Sequence, residues 1–426
     1  MTSDPQAPSS SPFEIAPQRS SSNNPRVWYL AGMCPYFGAI GVQNVVFMWL
    51  MTQILHASPS QVGLAQMLTM LPMLTVILLG GVIADRRELR RHLIILQVLM
   101  ALLPLSLALC IGAGQLSYWG LVSVSVAIGV IGAFIVPARD AMLSRVEDGE
   151  MQRTVTAMTG LQFASQIAGL SLGGSASWLA VKFGAGPGDP LGAAGLLSVQ
   201  GALVLVSAWC ASKLPAASPH ASSGGGALAT IAAGFGGAMR DATIRPILLL
   251  MFFIGTMFTG VFLVQLPLLV RDLYQGGSAE LALLNISFMG GTTLMVLALR
   301  RGPPIRRQGR AMLLSACAST LFICLISLAP SLTLMCLLAA AWGGSGGLIM
   351  IMARTLVQAA AQAHNRGRTL SIFQLSYVGG APLGSFVMGL LISRLGVVNA
   401  ALMPAAGMAL VLLAAFLRSN IWRLRL

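Results

Sequence analysis

Twelve apolar runs, each long enough to cross a lipid bilayer, leave this chain few ways to fold. A transmembrane helix needs ~20 mostly apolar residues. Such runs lie at 28–55, 62–84, 93–114, 117–136, 155–183, 191–212, 244–270, 279–299, 311–329, 331–352, 370–395 and 398–417. The sharpest break falls at 80–92, where Asp85, Arg86, Arg87, Glu88, Arg90 and Arg91 stand between two runs. A soluble helical hairpin does not need apolar flanks of this length. Two spans joined by a short basic loop do, because Arg crosses a bilayer at high cost and accumulates on the cytoplasmic side.

Composition excludes a soluble chain. Charged residues make up 9% of the sequence, against roughly 25% in soluble domains, and mean hydropathy is +0.80. The net charge of +14 does not point to nucleic acid. Of the 26 Lys and Arg, all but Lys182, Arg271 and Arg394 fall at the chain ends or in alternate loops. That asymmetry reports membrane topology, and it sets basic residues against anionic headgroups. The six cysteines are scattered through apolar runs without metal-ligand spacing and read as small buried hydrophobes.

The expected architecture is an all-α polytopic membrane protein with twelve transmembrane helices in two pseudo-symmetric six-helix bundles. An even number of spans puts both termini on one side, and the basic bias makes it the cytoplasm. Residues 1–26 read as a disordered cytoplasmic tail rather than a cleavable signal. The bundles are 27–213 and 244–418. Between them, 214–243 has linker composition at 215–226 and a short interfacial helix at 227–241. Residues 419–426 form a second tail.

The halves echo each other at a shift of 215 residues. Gly129 and Gly132 fall on Gly344 and Gly347, and Arg139 on Arg354. Gly169 and Gly174 fall on Gly384 and Gly389, and Arg86 and Arg91 on Arg301 and Arg306. Arg matches carry more weight than Gly matches in a chain where Arg is confined to loops. Parallel repeats about an axis along the membrane normal are a transporter architecture.

Gly81-x-x-x-Asp85-Arg86, followed by Arg90-Arg91, resembles the signature Gly-x-x-x-Asp-Arg-x-Gly-Arg-Lys/Arg of the major facilitator superfamily. Glu88 and Leu89 stand where the signature has Gly and Arg. The resemblance implies a conformational latch of Gly81, Asp85, Arg86, Arg90, Asp140 and Arg368. In it Asp85 caps helix 11 near Arg368, Arg86 or Arg90 pairs with Asp140, and Arg90 stands in for the signature Arg. The alternative is a plain stop-transfer loop.

A narrower resemblance rests on 135–143 (Ile-Val-Pro-Ala-Arg-Asp-Ala-Met-Leu), on Arg366-Gly367-Arg368, and on Gly380-Ala381-Pro382-Leu383-Gly384. These runs are similar to enterobactin (siderophore) exporter-like bacterial efflux proteins. Lysophospholipid transporters have a comparable pattern. In helix 5, 169–174 is close to the antiporter signature Gly-Pro-x-x-Gly-Gly, with Leu170 for Pro. Small residues at this spacing equally serve close helix packing.

Intramembrane ionisable residues usually mark transport sites. Here all twelve acidic residues and all four histidines fall in loops, in the N-terminal tail or at helix ends. A site without counter-charge favours neutral or amphipathic, aromatic molecules. Amides and aromatics remain: Gln43 and Asn44, Gln162 and Gln166, Gln265, Asn285, Gln374, Tyr377, Trp342, and Phe252, Phe253 and Phe258. The superfamily resemblance brings helices 1, 7 and 10 to the cavity, which singles out Gln43, Asn44, Gln265 and Trp342 for substrate binding.

The spans hold no nucleophile, base or metal cluster for an intramembrane enzyme, and no phosphate-binding Gly-x-x-x-x-Gly-Lys-Ser/Thr run occurs. No cofactor is expected. The expectation is a monomeric secondary active exporter of siderophores, drugs or other amphipathic molecules in the cell inner membrane. Protons are the candidate coupling ion, through Asp85 or Asp140. A lysophospholipid flippase and a non-transporting sensor are the alternatives. Single cysteines replacing Arg306 and Lys182 test the topology. A membrane-impermeant maleimide should label the Lys182→Cys position in intact cells and the Arg306→Cys position only after permeabilisation, and the reverse result would overturn the arrangement.

Overall fold

The computed structural model of the chain describes residues 25–84, 88–146, 151–182, 184, 186, 188–216, 235–303, 305–361 and 366–424. The expected N-terminal tail up to residue 24, most of the linker, and Asp85 and Arg86 lie outside the described residues. The described part is helical, without strands. Lipid offers no hydrogen-bond partner to an open backbone, so each span must satisfy its amides and carbonyls internally.

In chain order the long helices are α1 (Pro25–Trp49), α2 (Pro59–Ala84), α3 (Leu89–Gly112), α4 (Tyr118–Val146), α5 (Met151–Gly174), α6 (Leu191–Ser212), α7 (Ile244–Gly260), α8 (Ser278–Arg301), α9 (Gln308–Ser327), α10 (Leu332–Ala360), α11 (Arg366–Leu395) and α12 (Leu402–Arg418). A short helix, Ala176–Lys182, extends α5. Among the described residues, ten of these helices are long and apolar enough to cross a membrane, some together with the turns that extend them; α2 and α5 are not among the ten. They are 26 and 24 residues long, and side chains in each fall outside the described set. The protein is a multi-span membrane protein.

Several helices outrun their apolar stretches. α4 continues through Pro137, Arg139 and Asp140 to Val146, and α10 continues past Arg354 to Ala360. Hydropathy reports where the bilayer ends, whereas a helix stops only when its backbone loses its own hydrogen bonds. Pro35, Pro72, Pro104, Pro137 and Pro382 lie inside helices. Neighbouring helices and local adjustments satisfy the carbonyls such prolines release.

Two π-turns extend corresponding helices. Leu50–Ile54 continues α1, and Val261–Gln265 continues α7 before the short helix Leu266–Asp272. The Leu55 amide donates to the Leu50 carbonyl, and the Leu266 amide to the Val261 carbonyl. Each wider turn accommodates one extra residue.

The packing repeats between the halves. α1 packs on α5 and α6, α3 on α4 and α6, and α2 on α4. In the same pattern α7 packs on α11 and α12, α9 on α10 and α12, and α8 on α10. Across the middle, α2 meets α11 and α5 meets α8. Two of the glycine pairs that match at the 215-residue shift sit at corresponding contacts. A Cβ on Gly169 would collide with the Gly38 carbonyl of α1, and one on Gly384 with the Thr256 carbonyl of α7. Gly174 approaches Ala282 of α8, and Gly389 approaches Gly63 of α2. The 169–174 run of α5 is thus a close-packing face.

Arg139 anchors α4 to α1. Its guanidinium stacks over the rings of Tyr36 and Phe37 at 4.5 and 4.6 Å. The Tyr29 hydroxyl donates to its carbonyl at 3.2 Å.

Gly169→Val and Gly384→Val should each lower stability by at least the ~1–3 kcal/mol typical of overpacking, because backbone rather than a movable side chain blocks the added carbons. Gly132→Val is the control, since a Cβ there meets nothing. Thermal unfolding in detergent should separate the first two variants from the third.

Candidate functional site

Two cavities meet in the middle of the bundle. The larger has a volume of about 450 Å³, within the range of small-molecule sites. Met70 and Met73 of α2 form one wall. The rest comes from the second half: Met251, Phe258 and Thr259 of α7, Phe262 of its π-turn, Phe288 of α8, Trp342 and Met350 of α10, and Tyr377 of α11. The rings form one cluster. Phe288 meets Trp342 edge-on at 5.2 Å, Phe258 and Phe262 approach Trp342 at 6.1 Å each, and Phe262 lies 4.5 Å from Phe288. Edge-to-face pairs of this kind hold rings firmly and leave apolar faces for a ligand. Thr259, Thr292 and Tyr377 set three hydroxyls in an otherwise apolar wall.

The smaller cavity, about 140 Å³, lies on the side of the α1–α2 turn. It is lined by Gln43, Asn44, Gln66, Thr69, Ser125 and Asn285, with Phe47, Met48 and Met51. Phe262 and Leu263 belong to both walls and stand between the chambers. Gln200 of α6 donates to Gln43 Oε1 at 3.2 Å and holds that amide in place. Neither cavity is lined by a carboxylate, histidine, lysine or arginine among the described residues.

The four residues singled out for substrate binding are therefore divided. Gln43 and Asn44 line the polar chamber, and Trp342 lines the aromatic one. Gln265 lines neither. It is fully buried, and its Nε2 donates to Ser327 Oγ at 3.2 Å and to the Val397 carbonyl at 2.7 Å. The π-turn accounts for this. In an unbroken helix Phe258, Phe262 and Gln265 would share a face. An extra residue rotates the downstream side chains by roughly 100°, which carries Gln265 toward α9 and the α11–α12 turn. Phe262, Phe288, Met70 and Met73 were not distinguishable by type from the many apolar residues that face lipid.

The latch residues lie largely outside the described side chains. Asp85 and Arg86 are outside the described residues, and so is the Arg368 side chain; Gly81 is in the last turn of α2. Arg90 does not take the partner expected of it. It donates to the Leu214 carbonyl, at the start of the linker, at 3.3 Å and pairs with Glu88 at 3.4 Å. Asp140 is exposed near the end of α4.

The two halves are tied together on the face opposite the α2–α3 loop. Gln53, in the α1 π-turn, donates to the Gly276 carbonyl at 2.6 Å. Arg271 donates to the Ala57 carbonyl at 2.9 Å while pairing with Asp272. Ser278 Oγ donates to the Gly174 carbonyl at 2.9 Å and accepts from the Ser177 amide at 3.1 Å. The nearby Tyr274 hydroxyl donates to the Ala329 carbonyl at 2.6 Å, and burial raises its pKa above the ordinary phenol value. The sequence held one signal for this seam: Arg271 is among the three cations on the side the basic bias avoids.

Solved transporter structures share this fold. The nucleoside transporter NupG superposes with a TM-score of 0.69 at 14% identity, over 94% of this chain and 100% of that one. A bacterial homolog to the human lysosomal transporter Spinster gives 0.65 at 14% identity, over 94% and 97%. A D-xylose-proton symporter gives 0.67 at 14% identity, over 93% and 97%. The protein is a membrane transporter of the major facilitator type and not an enzyme. More particularly, the family described as transmembrane secretion effector matches residues 14–424, and the chain belongs to it. No curated protein matches the sequence.

Gln265→Leu should lower stability by about 1 kcal/mol, the scale of hydrogen bonds between helices in membranes, and leave ligand affinity unchanged. Gln43→Leu should alter affinity instead. Thermal unfolding and ligand binding, measured on the same preparations, separate the two roles.

Proposed function

We propose that the protein is a twelve-span secondary active exporter of uncharged or amphipathic, flat aromatic molecules, the class that includes siderophores and many drugs. Both termini are cytoplasmic in this reading, and the membrane is the cell inner membrane. The supporting observation is the aromatic cavity, with its methionines, its three hydroxyls and no charged residue among those described. Rings recognise flat faces, and methionine adapts to varied shapes. The adjoining amide chamber suits the polar end of such a ligand.

Alternating access between bundles 27–213 and 244–418 draws support from the repeated helix pairing and from the seam on one face. About four hydrogen bonds of ~0.5–1.5 kcal/mol each make a seam of about 2–6 kcal/mol. Reversing a 1:99 population takes ~5.5 kcal/mol, so differential binding of ligand and coupling ion is enough to open it. Protons are the proposed coupling ion, with Asp85 and Asp140 as the groups at the helix ends that change protonation.

Trp342→Ala and Phe288→Ala test the cavity. Each should weaken binding of a flat amphipathic dye by roughly tenfold, from lost ring contact and burial. Cells lacking the native protein should then retain the dye when complemented with either variant and expel it when complemented with the parent. Equal expulsion by all three would overturn the reading.

A further inference from the structure

A second apolar recess, remote from the central cavities, lies on the outside of the second half. A groove of about 360 Å³ runs between α9 and α12. Leu313, Leu314 and Cys317 line it from α9, and Ala409, Leu413 and Phe416 from α12. Leu314, Leu413 and Phe416 are each more than half exposed. The groove therefore opens sideways, where a membrane protein meets lipid.

Its end on the α2–α3 loop face is built from the C-terminal turn. Trp422 closes the groove there, its ring 5.5 Å from Phe416. The turn Ile421–Arg423 is docked on the start of α9. Gly309 donates its amide to the Leu424 carbonyl at 3.4 Å, and a Cβ on Gly309 would collide with the Ile421 carbonyl. Ile421 itself is fully buried. The Arg310 guanidinium lies over the Trp422 ring, 4.5 Å from its centroid. Stacking uses the flat face of a guanidinium and leaves its N–H donors pointing along the ring plane.

Charge completes the argument. From residue 281 to 426 the sequence carries twelve Arg and no Asp or Glu. The acids nearest before that stretch, Asp272 and Glu280, are on the opposite face, and Asp241 caps α7 through the Thr243 and Ile244 amides. Arg418, before the docked turn, and Arg423, at its end, are exposed. No Asp or Glu of residues 281–426 offsets the positive charge at this corner.

We propose that the α9–α12 groove holds one phospholipid with an anionic headgroup, an acyl chain lying in the groove and the phosphate accepting from Arg310. A cation beside an apolar recess at the bilayer edge is the chemistry that selects such headgroups. The site is independent of the transported molecule.

Native mass spectrometry of the full chain in detergent, titrated with phosphatidylglycerol or with phosphatidylcholine of matched chains, tests this. The parent should retain phosphatidylglycerol about fivefold better, the scale of one Arg against an anionic headgroup. Arg310→Gln should abolish that preference. Ala409→Phe, which fills the groove, should reduce retention of both lipids. Leu413→Trp, on the exposed lip, serves the same purpose should Ala409→Phe not fold. Unchanged retention and preference in the folded variants would overturn the proposal. So would displacement of the lipid by inorganic phosphate alone, which would mark an anion site without a chain.

Discussion

Within a bilayer, apolar burial cannot draw helices together, because lipid tails are as apolar as Leu. Shape has to do it. Here close contacts are backbone on backbone, as in Gly169 against Gly38 and Gly384 against Thr256. Each brings a crossing helix, α5 or α11, onto the first helix of its half. The same two crossing helices also supply helix contacts between the halves, through Gly174 and Gly389. One small-residue face therefore serves twice, once to build a bundle and once to join the bundles. The central space is what remains where these approaches stop.

That space is not symmetric, although the scaffold is. Among the described residues, the aromatic chamber takes its rings from the second half, and the amide chamber takes Gln43, Asn44, Gln66 and Ser125 from the first. A duplicated scaffold has thus been filled with different side chains on its two sides. The outcome is a passage with a greasy, ring-lined part and a hydrogen-bonding part, divided by Phe262. The π-turn that holds Phe262 has a counterpart at the end of α1, and that counterpart carries Gln53 of the seam. Both wide turns thus stand where the passage meets its closed face.

Much of this was legible residue by residue. That no charged residue lines the cavities among those described agrees with the positions of the acids, histidines and basic residues along the chain. Trp342 was identifiable as a large aromatic on a helix that the superfamily resemblance brings to the centre. Gln265 was not, because its direction depends on a residue inserted in the turn before it rather than on its own type. Arg90 carried an expected partner from a motif, yet Glu88 and the end of α6 are nearer to it than Asp140.

The amino-acid sequence by itself determined a helical membrane protein, the basic bias of alternate loops and the doubled half. Those depend on sums over twenty residues and on where arginine is tolerated, and such sums do not depend on how a helix is rotated. Only the tertiary structure decided which side chains face the passage, which tie helices together and which face shuts. Those depend on rotation about each helix axis, and one wide turn or one close glycine contact changes it by more than the width of a side chain.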